Sequence, residues 1–381
     1  MIYLFVFVTS ILLFYEYEKK KQKWMLFIAL FLPVAISILR KNSVGIDVEI
    51  YMKPLFEVST QQKTLIQFLS NYSSHPSLVN MEIGYATLCY IVSKISNGMW
   101  GIFLLNSILS IFPVYFGTMY LNKMMQKQNI NCYFPVWLVF SAYYFLFFPN
   151  SLNQVRQHIV VCFLPIVFGL ILSKRYILEI AIVLLLSMIH ISAPILLVFN
   201  FFFYLVNKNQ AHKLLWLKKL YIIGLVVLFL FSKQIFTFIL NFGLKLNFIP
   251  DKYVGQIING FNQSFNPNIT NFLFLFFIII INVIFVKRDK KIFPILTLSL
   301  LTAISLSTLD GFFDNFGRIQ LYFLFALIFV IPYIYNCLNI KKNYDELLKK
   351  FVVYFSLFLY WVITYNILDG FGVSKYLFFW Q

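Results

Sequence analysis

The sequence predicts an all-α, polytopic integral membrane protein with about 12 transmembrane helices, a short interfacial or re-entrant helix and two longer outer loops. Three observations carry this expectation. Of 381 residues, 61% are hydrophobic, 20% aromatic and 12% charged, and the mean hydropathy is +0.80. That is more apolar surface than a water-soluble core of this length can hide. The apolar residues fall in runs of roughly 20, the length that crosses a hydrocarbon core of about 30 Å. The short stretches 19–23, 123–127, 174–175, 208–219, 287–291 and 341–350 hold 20 of the 31 Lys and Arg, which assigns them to the cytoplasmic side.

The net charge of +17 therefore reads as an orientation signal, and no nucleic-acid partner is expected. Cys89, Cys132, Cys162 and Cys337 are scattered through apolar segments without disulfide, redox or metal spacing. No polar stretch is long enough to fold alone, so residues 1–381 are expected to form a single transmembrane domain. There is no P-loop, dinucleotide fingerprint or HExxH, so neither soluble nucleotide chemistry nor zinc hydrolysis is supported.

The elements follow in order. In the run 2–15 the basic residues come after the apolar stretch, so it reads as a retained span with its N-terminus outside. The run 24–40 returns outward and opens the outer loop 41–81. Segment 82–97 is apolar but short. Parity between an outer 41–81 and an inner 122–131 needs one crossing, so 100–121 is the span and 82–97 is interfacial or re-entrant. Runs 132–149 and 153–173 go out and back. Segment 176–206 has basic residues at both ends and must leave and return. Residues 176–190 rise only about 22 Å as a helix, so the turn from His190 to Pro194 is expected below the outer surface, at the floor of an outward-open cavity. Runs 219–240, 270–286, 292–309, 318–336 and 350–368 complete the series, with 241–269 as the second outer loop.

This topology places the singular ionisable residues on one side. Arg40 ends the second run and precedes Val44-Gly45-Ile46-Asp47. Glu82 opens Glu82-Ile83-Gly84-Tyr85. Arg156 lies in Asn153-Gln154-Val155-Arg156-Gln157, and His190 lies at the turn. Asp310, Asp314 and Arg318 bracket a late outer loop, with Tyr322 one helical turn on. Each has a plainer reading: Arg40 as a snorkelling residue, Asp47 as a turn former, His190 as a hydrogen-bonded structural group, Asp310 and Asp314 as caps or partners of Arg318. Their coincidence at one depth points further. Guanidinium groups suit phosphate through charge-assisted bidentate bonds, a carboxylate or imidazole can deprotonate a hydroxyl, and a membrane setting implies a lipid-borne anion.

At these residues the chain resembles the EpsG family of polysaccharide-biosynthesis membrane proteins, relatives of Wzy-type O-antigen polymerases. The resemblance rests on Arg40 with Val44-Gly45-Ile46-Asp47 through Tyr51, on Glu82-x-Gly84-Tyr85, on Asn153-x-x-Arg156-Gln157, on His190, and on Arg318 with Tyr322. It implies polymerisation of undecaprenyl-pyrophosphate-linked oligosaccharide repeats at the outer face of a bacterial cytoplasmic (inner) membrane. The catalytic site would face the periplasm or the cell exterior. In that reading Asp47, His190 and Arg156 are catalytic, with Asp47 or His190 as the base. Arg40, Glu82, Tyr85, Asn153, Gln157, Asp310, Asp314, Arg318 and Tyr322 bind substrate. No metal and no cofactor is implied, because arginines supply the positive charge. Membrane lipid is a partner, and a chain-length regulator is a further partner the resemblance leaves open. The rival readings are a flippase or exporter of lipid-linked oligosaccharide and an O-antigen ligase.

Overall fold

The computed structural model describes residues 2–79, 81–206, 215–231, 292–310, 315–337, 345–367 and 376–380, with a few isolated positions between 234 and 278. The expected outer loop 241–269 and most of the expected span 270–286 lie outside the described residues. Among the described residues the regular structure is helical and no strand occurs; Arg40 and Phe378 form an isolated antiparallel bridge. Among the described residues four stretches are long and apolar enough to cross a membrane: Trp100–Lys127, Val155–Leu172, Ile292–Leu309 and Gly317–Asn336. Further apolar helices, among them Lys23–Ile38, Ile83–Ile95 and Tyr176–Ser187, run 10–17 residues.

The chain divides into two compact units. The first comprises Met1–Leu197, Ile331–Asn336 and Ile340–Gln381; the second comprises Val198–Val330 and Cys337–Asn339.

In the first unit, α1 (Ile2–Lys20) packs on α2 (Lys23–Ile38) and on α7 (Val136–Leu146). The contact is aromatic: Phe7 stacks on Tyr144 at 5.1 Å and Phe14 on Phe140 at 4.4 Å. One polar link ties the three helices. Ser10 Oγ donates to the Ala29 carbonyl at 2.7 Å, so the Tyr144 hydroxyl donates to it at 2.9 Å. Such a bond between helices satisfies groups that lipid cannot. The long α6 (Trp100–Lys127) rises about 42 Å at 1.5 Å per residue and packs against α2, α9 (Val155–Cys162) and α10 (Leu164–Leu172). The helix Asp345–Trp361 covers α7.

Residues 41–81, read from sequence as a long loop, are helical along most of their length. α3 (Lys53–Gln61) and α4 (Leu65–Asn71) pack against α5 (Ile83–Ile95), and a π-helical turn (Val48–Met52) and two 3-10 turns pack against α3. Their shared core includes Met52, Leu55, Phe68 and Leu78. Phe68 stacks on Tyr72 and Tyr90 at 5.3 and 5.0 Å. Lys94 Nζ donates to the Ser59 and Gln62 carbonyls at 2.9 and 2.6 Å, where a cation suits the C-terminal end of α3. At 13 residues α5 rises only about 20 Å, too short to cross.

α11 (Tyr176–Ser187) is also short, and the chain turns through 188–192 into a 3-10 helix at Ala193–Leu197 that packs on α11 and α9. In the second unit, Ile292–Asp310 packs against Asn315–Leu324, α12 (Val198–Val206) and α13 (Leu215–Leu230). Gln320 Nε2 donates to the Ala303 carbonyl at 3.0 Å, and Ser299 Oγ to the Phe323 carbonyl at 3.0 Å.

The turn between α6 and α7 hangs on Asn122. Its Nδ2 donates to the Phe134 carbonyl at 2.8 Å, and its Oδ1 accepts from the Phe134 N–H at 2.9 Å. Asn122→Leu removes both of these bonds to the backbone of Phe134, each worth on the order of 1 kcal/mol. Thermal unfolding of purified protein in detergent is expected at a clearly lower temperature for Asn122→Leu, with Asn122→Asp intermediate.

Candidate active site

The site is built on a double break in the chain. α7 ends at Leu146, and Phe147 (φ −128°, ψ −25°) separates it from the six-residue helix α8 (Phe148–Asn153). Pro149 sits in the first turn of α8, where its missing N–H is no loss. Gln154 (φ −78°, ψ 54°) then interrupts the helix before α9 begins at Val155. Asn150, Asn153 and Gln157 are buried here, as polar side chains must be beside backbone that a continuous helix would have satisfied. The Tyr365 hydroxyl donates to the Leu146 carbonyl at 2.7 Å.

The segment 40–47 lies across this break. Arg40, only 1% exposed, donates from Nη1 to the Leu152 carbonyl at 2.7 Å, and its guanidinium covers the Phe103 ring with Cζ 4.2 Å from the centroid. Gly45 has φ +95°, and a Cβ there would lie 2.3 Å from the Leu152 carbonyl oxygen. Both its conformation and its contact therefore require glycine. The Asp47 N–H donates to Asn153 Oδ1 at 2.9 Å. The same two residues of the break, Leu152 and Asn153, thus fix Arg40 on one side and Asp47 on the other.

Arg156, in the first turn of α9, forms an ion pair through Nη1 with Oε2 of Glu82, the residue that opens α5; their side chains are 19% and 14% exposed. The guanidinium also faces the Tyr51 ring, with Cζ 5.5 Å from its centroid. Glu82 Oε1 accepts the Ile191 N–H at 3.1 Å, and the Tyr85 N–H donates to the Met188 carbonyl at 3.1 Å. A side chain at position 84 would collide with that carbonyl, since a Cβ would lie 2.6 Å from it. The Glu82-x-Gly84-Tyr85 motif is therefore a docking surface for the turn 188–192. On that turn, His190 Nδ1 receives the Ser192 N–H at 3.3 Å and lies 2.6 Å from Ser192 Oγ. With Nδ1 accepting, the neutral ring carries its proton on Nε2.

The first unit thus brings together Asp47, Glu82, Asn153, Arg156 and the turn bearing His190, from four separate stretches of sequence. Arg40 is linked to them through Leu152. Tyr85 is buried, with its hydroxyl 3.3 Å from Asn106 Oδ1, and Gln157 is buried in α9. Arg318 is exposed and Tyr322 buried on the helix Asn315–Leu324 of the second unit. Asp310 ends the helix Ile292–Asp310, and Asp314 lies outside the described residues. Two contributors were missed among the expected site residues. Tyr51, which closes the Val44–Tyr51 motif but was given no role in the site, supplies the aromatic face beneath Arg156. The Ile191 N–H is a backbone donor, which side-chain chemistry cannot reveal.

Chemically, the arrangement is a guanidinium held in place by one carboxylate and one ring, with its remaining N–H groups available as donors.

Gly45→Ala strains a left-handed backbone and intrudes on Leu152, which is expected to cost more than about 1 kcal/mol. Its unfolding temperature in detergent should fall. Gly224→Ala, with nothing within 4 Å of an added Cβ, should not lower it. The sequence pattern of the EpsG family matches residues 23–378. No curated protein and no solved structure matches the chain. With apolar helices throughout and a family match over nearly its whole length, the chain is an integral membrane protein and belongs to the EpsG family.

Proposed function

We propose that this protein, a membrane protein of polysaccharide biosynthesis, polymerises oligosaccharide repeats carried on undecaprenyl pyrophosphate at the outer face of the cytoplasmic membrane. The observation that carries the reading is the Arg156–Glu82 pair. It is a partly buried guanidinium whose partner can be exchanged for phosphate, set where four stretches named by the family pattern meet. In the topology that supports this reading the chain crosses about 12 times, and the basic stretches lie in the cytoplasm.

In the reaction, the terminal sugar hydroxyl of one lipid-linked unit attacks the anomeric carbon of the glycan on a second carrier. A carbon–oxygen glycosidic bond forms, and the bond from the anomeric carbon to the pyrophosphate oxygen breaks. The leaving pyrophosphate takes the electron pair. Arg156, released from Glu82, holds the pyrophosphate and stabilises the charge that develops on it. The hydroxyl proton passes to Asp47 or to His190. With Nδ1 engaged by Ser192, His190 can accept that proton only once its Nε2 is free of hydrogen, which favours Asp47. Arginine supplies the positive charge, so the step as written calls on no metal.

The reading is tested by complementation in cells lacking the native copy. Arg156→Ala is expected to abolish long polymer while single repeats still reach the cell exterior, and Arg156→Lys should retain a small fraction of polymer. Loss of single repeats from the exterior would instead indicate a flippase. The exchange Glu82→Arg with Arg156→Glu separates a structural pair from a phosphate-binding one. Restored expression without restored polymer supports the proposal. Restored polymer contradicts it, because the pair would then serve only the fold.

A further inference from the structure

Beside the candidate active site, the first unit contains a cavity of about 290 Å³ lined by Arg40, Asn42, Trp100 and Phe379, with Ile38 and Phe103 among its apolar walls. Arg40 is 1% exposed, its Nη1 is bound to the Leu152 carbonyl, and its Nε is buried without a hydrogen-bond partner. Among the described residues the ion pairs are Lys20–Glu16 and Arg156–Glu82, so none neutralises Arg40. A buried cation with no counter-charge is costly, and the cation–π contact with Phe103 at 4.2 Å offsets little of that. The site is short of one anion.

The walls say what kind of anion. They are mainly apolar, and exposed Asn42 is the other polar side chain. The mouth is aromatic: Trp100 and Phe379 are exposed, and Trp380, also exposed, stacks on Phe378 at 4.3 Å. Exposed Trp rings such as Trp100 and Trp380 are the residues enriched at the depth of lipid headgroups. An inorganic anion would leave the apolar walls uncovered, whereas an amphiphile covers them and neutralises Arg40 together.

We propose that this cavity is a resident site for an anionic membrane phospholipid, whose phosphodiester pairs with Arg40 and Asn42 and whose glycerol and upper acyl carbons cover Ile38 and Phe103. With Arg40 also bound to Leu152, the lipid would brace the break between α8 and α9 from the side opposite Asp47. It is distinct from the carrier proposed to bind at Arg156.

The test uses the full-length protein purified in detergent, with dioleoylphosphatidylglycerol or dioleoylphosphatidylcholine added in mixed micelles and bound lipid read by native mass spectrometry. The anionic lipid should be retained about fivefold over the zwitterionic one, the ratio expected for one basic residue facing an anionic headgroup. Arg40→Gln should abolish the preference. Ile38→Trp fills the cavity while leaving Arg40 and its bond to Leu152 in place, and it should also abolish the preference, so the test survives if Arg40→Gln does not fold. Arg156→Ala should leave retention unchanged, which keeps this outcome separate from the fate of the proposed polymerase. Equal retention of the two lipids, full retention in Ile38→Trp, or displacement of the lipid by farnesyl pyrophosphate in an Arg40-dependent manner would overturn the assignment.

Discussion

A guanidinium largely withdrawn from solvent must be neutralised, and the way Arg156 meets that constraint organises the surrounding structure. Glu82 answers its charge with one carboxylate oxygen and uses the other to hold the Ile191 N–H. One side chain therefore joins the start of α5, the start of α9 and the turn that carries His190. Tyr51 completes the seat from the helical segment before α5. Because the partner is a carboxylate on a packed helix end rather than solvent, the pair braces these three elements.

The second organising feature is the interruption at 147–154. A helix that simply crossed here would bury its backbone groups within itself and present nothing to bind. The breaks at Phe147 and Gln154 leave the Leu152 carbonyl to Arg40 and give Asn153 to the Asp47 N–H. Irregular backbone at membrane depth is tolerated where protein covers it, and segment 40–47 provides the cover. Gly45 is the point of closest approach, so the Val44-Gly45-Ile46-Asp47 pattern has a packing reason as well as a chemical one.

Much of this was legible in the sequence. Apolar runs and basic loops read directly as a membrane protein, because lipid imposes length and charge rules that composition alone satisfies or breaks. Counting residues between basic flanks gave a short helix with a turn at 190–194; the structure ends the helix at Ser187 and begins the turn two residues earlier, at Met188. Arg156, Glu82, Asn153 and Asp47 stood out because isolated polar groups are conspicuous in an apolar chain. The helical character of 41–81 was not legible, since its Ser, Asn and Pro residues carry the signature of loops while Leu55, Phe68 and Tyr72 fold it through contacts with α5. The different partners of Arg40 and Arg156 were not legible either. Both are single arginines near run ends, and only the fold shows that one is buried against a carbonyl and the other is paired with a carboxylate.

The central claim is that Glu82 and a pyrophosphate compete for Arg156. Equilibrium binding of farnesyl pyrophosphate to the purified protein tests it most directly. Glu82→Gln keeps an oxygen for the Ile191 N–H while removing the competing charge, so the account predicts tighter binding than wild type, and Arg156→Gln should lose binding. Weaker binding by Glu82→Gln, or undiminished binding by Arg156→Gln, would contradict it.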